Sequence, residues 1–410
     1  MRRWESLLVV GLWAACFHAG CRKSEEPQAP AASTTAQNLE APAAADAKEI
    51  KLGQTMPYSG PASAYGTIGK LQVAFFAKLN REGGVNGRTV KLLSVDDGYS
   101  PPKAVEQVRK LVEQDSVLAI FNAVGTASNS AIHKYLNEKG VPHLFVSSGA
   151  SKWNDPQHFP WTIGLNPSYR LEGKTYAQHI LKTHPDAKIA VLYQNDDFGK
   201  DVLAGLKEGL GAEHEKQLVA EASYEVTDPT VDSQIVKLKG SKADVFVNLA
   251  TPKFAAQGIR KVHDLRWKVA QYVANVGASI GTVLVPAGIE ASKGVMTVGY
   301  FKDPADPRFD SDPAMQEFKA FLRAEYPDAN VKDASNAYAY LAAQTMVQVL
   351  KQCGDDVSAK NLMAQAASLK DFAPGLLLDG IKMNTSPSDF EVIDQLRVVR
   401  FNGEVYDVID

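Results

Sequence analysis

Residues 50–98 read "IKLGQTMPYSGPASAYGTIGKLQVAFFAKLNREGGVNGRTVKLLSVDDG", and three phases within them decide the fold. "IKLGQTM" is a short, β-rich apolar run. "GKLQVAFFAKLNREGG" repeats its apolar residues at helical spacing and is closed by Gly83 and Gly84, whereas "TVKLLSVDDG" returns to strand chemistry and ends in acids and glycine. Strand, helix and strand in succession form a βαβ unit, which predicts a mostly parallel sheet.

The rhythm continues outward. "PPKAVEQVRKLVEQD" offers Pro102 for a first-turn position and places Val105, Val108, Leu111 and Val112 at helical spacing. The strand "VLAIFN", the helix "SNSAIHKYLNEKG" and the strand opening "VPHLFV" follow. After "NPSYRLEG" the pattern restarts with a helix over 174–182, the strand "KIAVLYQ", the helix "KDVLAGLKEGL", the strand "QLVAEASYEV" and the helix "DSQIVKLKG". The strand "ADVFVNLA", a helix over 254–263 and the strand "VAQYVAN" complete it. Two α/β, doubly wound, Rossmann-like lobes are therefore predicted, and ligands of such sheets sit beyond the carboxyl ends of the strands.

Composition is that of a globular protein: 410 residues, 45% hydrophobic and 22% charged. The 44 Lys and Arg against 47 Asp and Glu give a formal charge of -3, so no global field draws nucleic acid or an acidic membrane. The N-terminus, "MRRWESLLVVGLWAACFHAGC", carries Arg2 and Arg3, an apolar run from Leu7 to Phe17 and small residues before Cys21, which predicts an export signal over 1–20. Small residues directly before a cysteine resemble a bacterial lipoprotein signal, with Cys21 as the acylated first residue, although His18 stands where such signals usually carry leucine. Residues 21–48, rich in Ala, Pro, Ser and Thr, are expected to form a flexible tether to the membrane. Of the three cysteines only Cys353 falls in the folded part, so no intrachain disulfide is expected and the core must supply stability.

The sequences after the first-half strands are "PYSGPASAYG" (57–66), "DDGYSP" (96–101), "NAVGTASN" (122–129) and "VSSGAS" (146–151). Three of them combine hydroxyls with Gly or Ala, letting a ligand reach backbone N–H groups, and the helix after Ser128 aims its N-terminus at the same place, where an anion is favoured. A carboxylate or similar polar head would satisfy that constellation. Catalytic chemistry finds no support, since no G-x-S-x-G surrounds a serine and "GTIGK" lacks the spacing of a phosphate loop. The eight His include no close ligand pair, and the adjacent Asp96–Asp97 and Asp196–Asp197 diverge in direction. No enzyme activity, metal or cofactor is expected.

Four stretches in order, "IKLGQTMPYSGPASAYG", "NREGGVNGRTVKLLSVDDGYSPPKAVEQVRKLV", "GVPHLFVSSGAS" and "VLYQNDDFGKDVLAGLKEGL", resemble the exported solute-binding proteins of branched-chain amino-acid ABC importers, with the type I periplasmic-binding fold. The resemblance spans nearly all of residues 49–410. It implies two lobes joined by three crossovers: residues 49–166 with 299–378, and residues 167–298 with 379–410. It also implies a small-molecule ligand clamped by hinge closure, delivery to a permease, a periplasmic location and a monomeric state. Family members hold a ligand carboxylate at positions matching Gly125, Thr126, Gly149, Ala150 and Ser151, and place aromatic rings where Tyr65 and Phe198 stand. Members that bind amino acids hold the ammonium with a tyrosine and an acid, where this chain has Ala250 and either Asn275 or Val276. The missing acid implies a carboxylate, amide or other neutral ligand without a free amine; Asp196, Asp197 or Asp333 would restore an amino-acid site if one supplied the charge. The family's usual disulfide positions hold Tyr99 and Val124. The same fold also serves as the sensing domain of signalling systems, an alternative disfavoured by a chain that ends at Asp410 without a later spanning helix.

Overall fold

The computed structural model describes residues 48–409; the expected signal peptide, the Cys21 anchor and residues 21–47 of the tether lie outside the described residues. Strands Glu49–Met56 (β1), Thr89–Asp96 (β2), Ala119–Phe121 (β3), His143–Val146 (β4) and Thr162–Gly164 (β5) form one parallel sheet in the order β2-β1-β3-β4-β5. Every residue of β3 and β4 is buried, which requires helices on both faces. The order reverses between β1 and β3, and the loops leaving these two strands diverge to open a crevice.

The second sheet contains Ile189–Gln194 (β6), Leu218–Tyr224 (β7), Val245–Leu249 (β8), Ala270–Val273 (β9), Met296–Gly299 (β10), Arg397–Phe401 (β11) and Tyr406–Val408 (β12). Its order is β12-β11-β10-β9-β8-β6-β7, with β11 and β12 antiparallel to their neighbours. This antiparallel edge is an addition to the expected parallel pattern. Its own switch point lies between β6 and β8.

Two helices begin earlier than apolar spacing predicts, each for a local reason. The Tyr169–Thr183 helix starts where the Ser168 hydroxyl accepts from the Arg170 N–H. The Thr126–Lys139 helix starts two residues before Ser128, after Gly125 at φ +105°, a conformation that glycine adopts without strain.

After β10 the chain returns to the first lobe and lays helices Pro313–Glu325, Ala334–Cys353 and Ala359–Ala366 against its sheet. Met315, Phe318, Leu341 and Met346 share one core with Leu52 and Phe121. The expected return to the second lobe at residue 379 is displaced. Ile381, Met383, Phe390, Val392 and Ile393 belong to the first-lobe core, held by bridges Phe372↔Met383 and Phe301↔Leu377, so the last crossing falls between Ile393 and β11. Cys353 is buried and free, and burial pushes its thiol up to about 11.

Candidate functional site

The loops leaving the two switch points face each other across a cavity between the lobes. Tyr65 follows β1, Gly125 and Thr126 follow β3, Phe198 follows β6, and Asn275 follows β9; all five expected residues line this space. Seven of its nineteen lining residues are aromatic and none is charged.

Gly125 is small for a reason visible in the geometry. A Cβ there would lie 2.6 Å from the Tyr99 ring, which is itself aimed inward from a left-handed backbone at φ +58°. Tyr99 is buried, and burial together with the nearby Asp196 charge pushes its phenol well above the usual range. Thr126 opens a 14-residue helix, whose first-turn N–H groups have no intrahelical acceptor. Its hydroxyl is engaged with Ser148 at 2.8 Å.

Gly149, Ala150 and Ser151 are not among the cavity-lining residues, contrary to expectation. A Cβ on Gly149 would fall 2.3 Å from the Pro167 carbonyl and 2.8 Å from the Tyr169 ring, so the chain's own first crossing occupies the space that small side chains leave. Only Ser147 of that run reaches the cavity. Ser151 instead reaches the other lobe, its N–H and hydroxyl donating to the Asp201 carboxylate at 2.7 and 3.0 Å.

The lobes are closed on one another. Tyr65 spans the cleft and donates to the Val276 carbonyl at 2.9 Å. On one flank Lys152 and Ser130 donate to Asp197, at 2.5 and 3.1 Å, beside the Ser151–Asp201 pair. On the other, Ser279 and Thr282 donate to Asp333, and the Gly281 N–H donates to the Lys332 carbonyl.

These contacts also occupy the three carboxylates considered as charge sources. Asp196 caps the Asp197–His214 helix and accepts from Gln194, Asp197 takes Lys152, and Asp333 caps the Ala334–Cys353 helix; none lines the cavity. Asn275 is fixed from behind, its amide donating to the Val298 carbonyl at 2.6 Å and its N–H to Glu172 at 2.8 Å. Glu172 is buried without a cation, which pushes its carboxyl up to about 7.

Several lining residues escaped sequence reasoning. Tyr99 sits in the "DDGYSP" loop, where the acids drew attention. Tyr169 follows the first crossing and Tyr300 the second, and Tyr338 lies on the Ala334–Cys353 helix, where its hydroxyl donates to Asn166 at 2.9 Å.

A closed cleft between two hinged α/β lobes, walled by aromatic rings and hydroxyls at both switch points, is the architecture of a two-lobed ligand-binding protein. The chain belongs to the periplasmic binding protein family, whose model matches residues 49–404. Leu/Ile/Val-binding protein homolog 7 of Brucella suis biovar 1 (strain 1330) is 25% identical over 362 residues, covering 82% of this chain and 84% of that protein. A branched-chain amino acid ABC transporter protein from Thermus thermophilus with bound valine superposes with a TM-score of 0.80 at 15% identity, covering 89% of this chain and 96% of that one. A fatty acid ABC transporter substrate-binding protein from Thermomonospora curvata superposes with a TM-score of 0.73 at 21% identity, covering 88% and 91%. Among the described residues no helix is long and apolar enough to cross a membrane.

Proposed function

We propose that this protein captures a small polar ligand without a free α-amine beside its polar head, such as a carboxylate or amide, between its lobes and delivers it to the permease of an ABC importer. The observation that carries this reading is the cavity lining, which contains no carboxylate to receive an ammonium group. Burying an ammonium unpaired costs several kcal/mol, enough to reverse the choice between an amino acid and its amine-free analogue. Gly125, Thr126, Tyr65, Phe198 and Asn275 are proposed as ligand contacts, with the polar head on the N–H groups that open the Thr126–Lys139 helix. The lipid anchor on Cys21 and action as a monomer at the outer face of the membrane complete the proposal.

A second reading, a true amino-acid binder, is favoured by the named ligands of the relative from Brucella suis and by the valine bound in the Thermus thermophilus protein. Melting curves separate the two. The protein is heated with branched-chain and aromatic amino acids, and separately with their deaminated carboxylates and amides. A ligand at about a thousand times its dissociation constant adds roughly 4 kcal/mol, a shift of several degrees. Shifts with the amine-free set alone are expected; shifts with amino acids alone would reverse the assignment.

A further inference from the structure

A second chamber adjoins the cleft and shares five wall residues with it, Asn275, Ser279, Tyr300, Phe301 and Ala334. Its far wall differs in kind. Val298, Leu378, Val399 and Val408 make part of it apolar, and Asp303, Asp306, Arg308 and Asp407 also line it, with Arg308 paired to Asp306 and Asp407 so that Asp303 is left over, whereas no charged residue lines the cleft.

Asp303 has no cationic partner among the described residues. One carboxylate oxygen accepts from the Ala305 N–H at 2.8 Å. The cations nearby are spent elsewhere: Lys302 donates to Asp312 and to the Gly375 carbonyl, Arg308 is held by Asp306 and Asp407, and Lys319 is paired with Asp310. Burial, with Asp306 and Asp333 close by, pushes the Asp303 carboxyl up to about 7. Such a carboxylate is stabilised by an incoming cation.

The wall that the two chambers share carries a second polar group. Tyr300 is only 3% exposed, lines both spaces, and its hydroxyl has no hydrogen-bond partner among the described residues. The hydroxyl opens onto these spaces instead of being sealed in the core, so a molecule that occupies them can hydrogen-bond to it.

We propose that the ligand spans both chambers, with its uncharged polar head in the cleft, a hydrogen bond to Tyr300 where the two chambers adjoin, and a primary amine at the end of an apolar tail against Asp303. This rests on the reading of the cleft as a site for a head group without its own amine, and it adds a cation-recognising subsite at a distance from that head.

The test uses benzamide, 4-butylbenzamide and 4-(4-aminobutyl)benzamide, with binding measured by calorimetry on the wild-type protein, Asp303→Asn and Tyr300→Phe. Asparagine still accepts from the Ala305 N–H, so the local turn is kept. The aminobutyl compound is expected to bind at least tenfold more tightly than the butyl compound to the wild type. Asp303→Asn is expected to erase that difference while leaving butylbenzamide unchanged, and Tyr300→Phe to weaken both tailed compounds. Equal binding of the two tailed compounds, or an amine advantage that survives in Asp303→Asn, would overturn the second subsite and leave the cleft reading intact. Failure of all three to bind would overturn both.

Discussion

Gly125 joins two constraints at one residue, a left-handed backbone and a Tyr99 ring that leaves no room for a Cβ. An added methyl group must displace Tyr99 or the helix start. Gly125→Ala is therefore expected to cost about 1–3 kcal/mol and to weaken ligand binding more than tenfold; calorimetry and a melting curve on one sample check both. Glu172 makes a different prediction. Its folded-state pKa, about 7, lies above the ordinary 4.5, so between those values the folded protein holds a proton that the unfolded chain has released. This group's contribution to stability thus rises as pH falls from above 7 toward 4.5, and above 7 its full cost is present. Glu172→Gln retains an acceptor for the Tyr176 hydroxyl and the Asn275 N–H. The variant should exceed the wild type by about 1–3 kcal/mol at pH 8 and match it near pH 5. Reading the difference between the two curves cancels Asp97 and Asp303, which shift in the same direction, and His133 and His143, whose pKa values burial lowers.

At the scale of elements, the flank contacts between lobes set how readily the cleft opens. Lys152–Asp197 is a partly exposed pair, and such pairs contribute about 0–1 kcal/mol. Because it bridges the lobes only when they are closed, even that amount changes apparent affinity. Lys152→Ala is expected to weaken ligand binding by up to about fivefold, with wild-type affinity falling toward the variant's as salt rises; an effect indifferent to salt would count against the latch. The same elements show what local pattern reveals. Strand ends carry Tyr65, Gly125, Thr126, Phe198 and Asn275; period and punctuation pointed to the loop of Gly125 and Thr126, whereas Tyr65, Phe198 and Asn275 were singled out by the family resemblance. Smallness at Gly149 and Ala150 was legible too, but not its cause, because a ligand and the chain's own Pro167–Tyr169 crossing demand the same small side chains. Tyr338 had no local signal: its hydroxyl meets Asn166 across 172 positions of sequence.

Across the whole molecule, two switch points bring four loops together, and this follows from the alternation of strand and helix. The fold was therefore legible, down to two parallel sheets of separate construction. The antiparallel β11 and β12 were not, since five-residue and three-residue strands this near the end of the chain carry too little pattern. Nor was the late crossing after Ile393, which depends on side chains such as Phe390 finding a core built mostly from residues far earlier.

That crossing fixes an order of assembly. A chain growing from its N-terminus makes β1 to β5 first, yet their sheet lacks a covering layer until the helices ending at Ala366 and the segment through Ile393 have been made. The second lobe waits longer, because β10 gains its partner only when Arg397–Phe401 arrives. Contacts of such long sequence separation form slowly. A chain arranged in this way is not complete in both sheets until Arg397–Phe401 has been made, so its longest-range pairings come last.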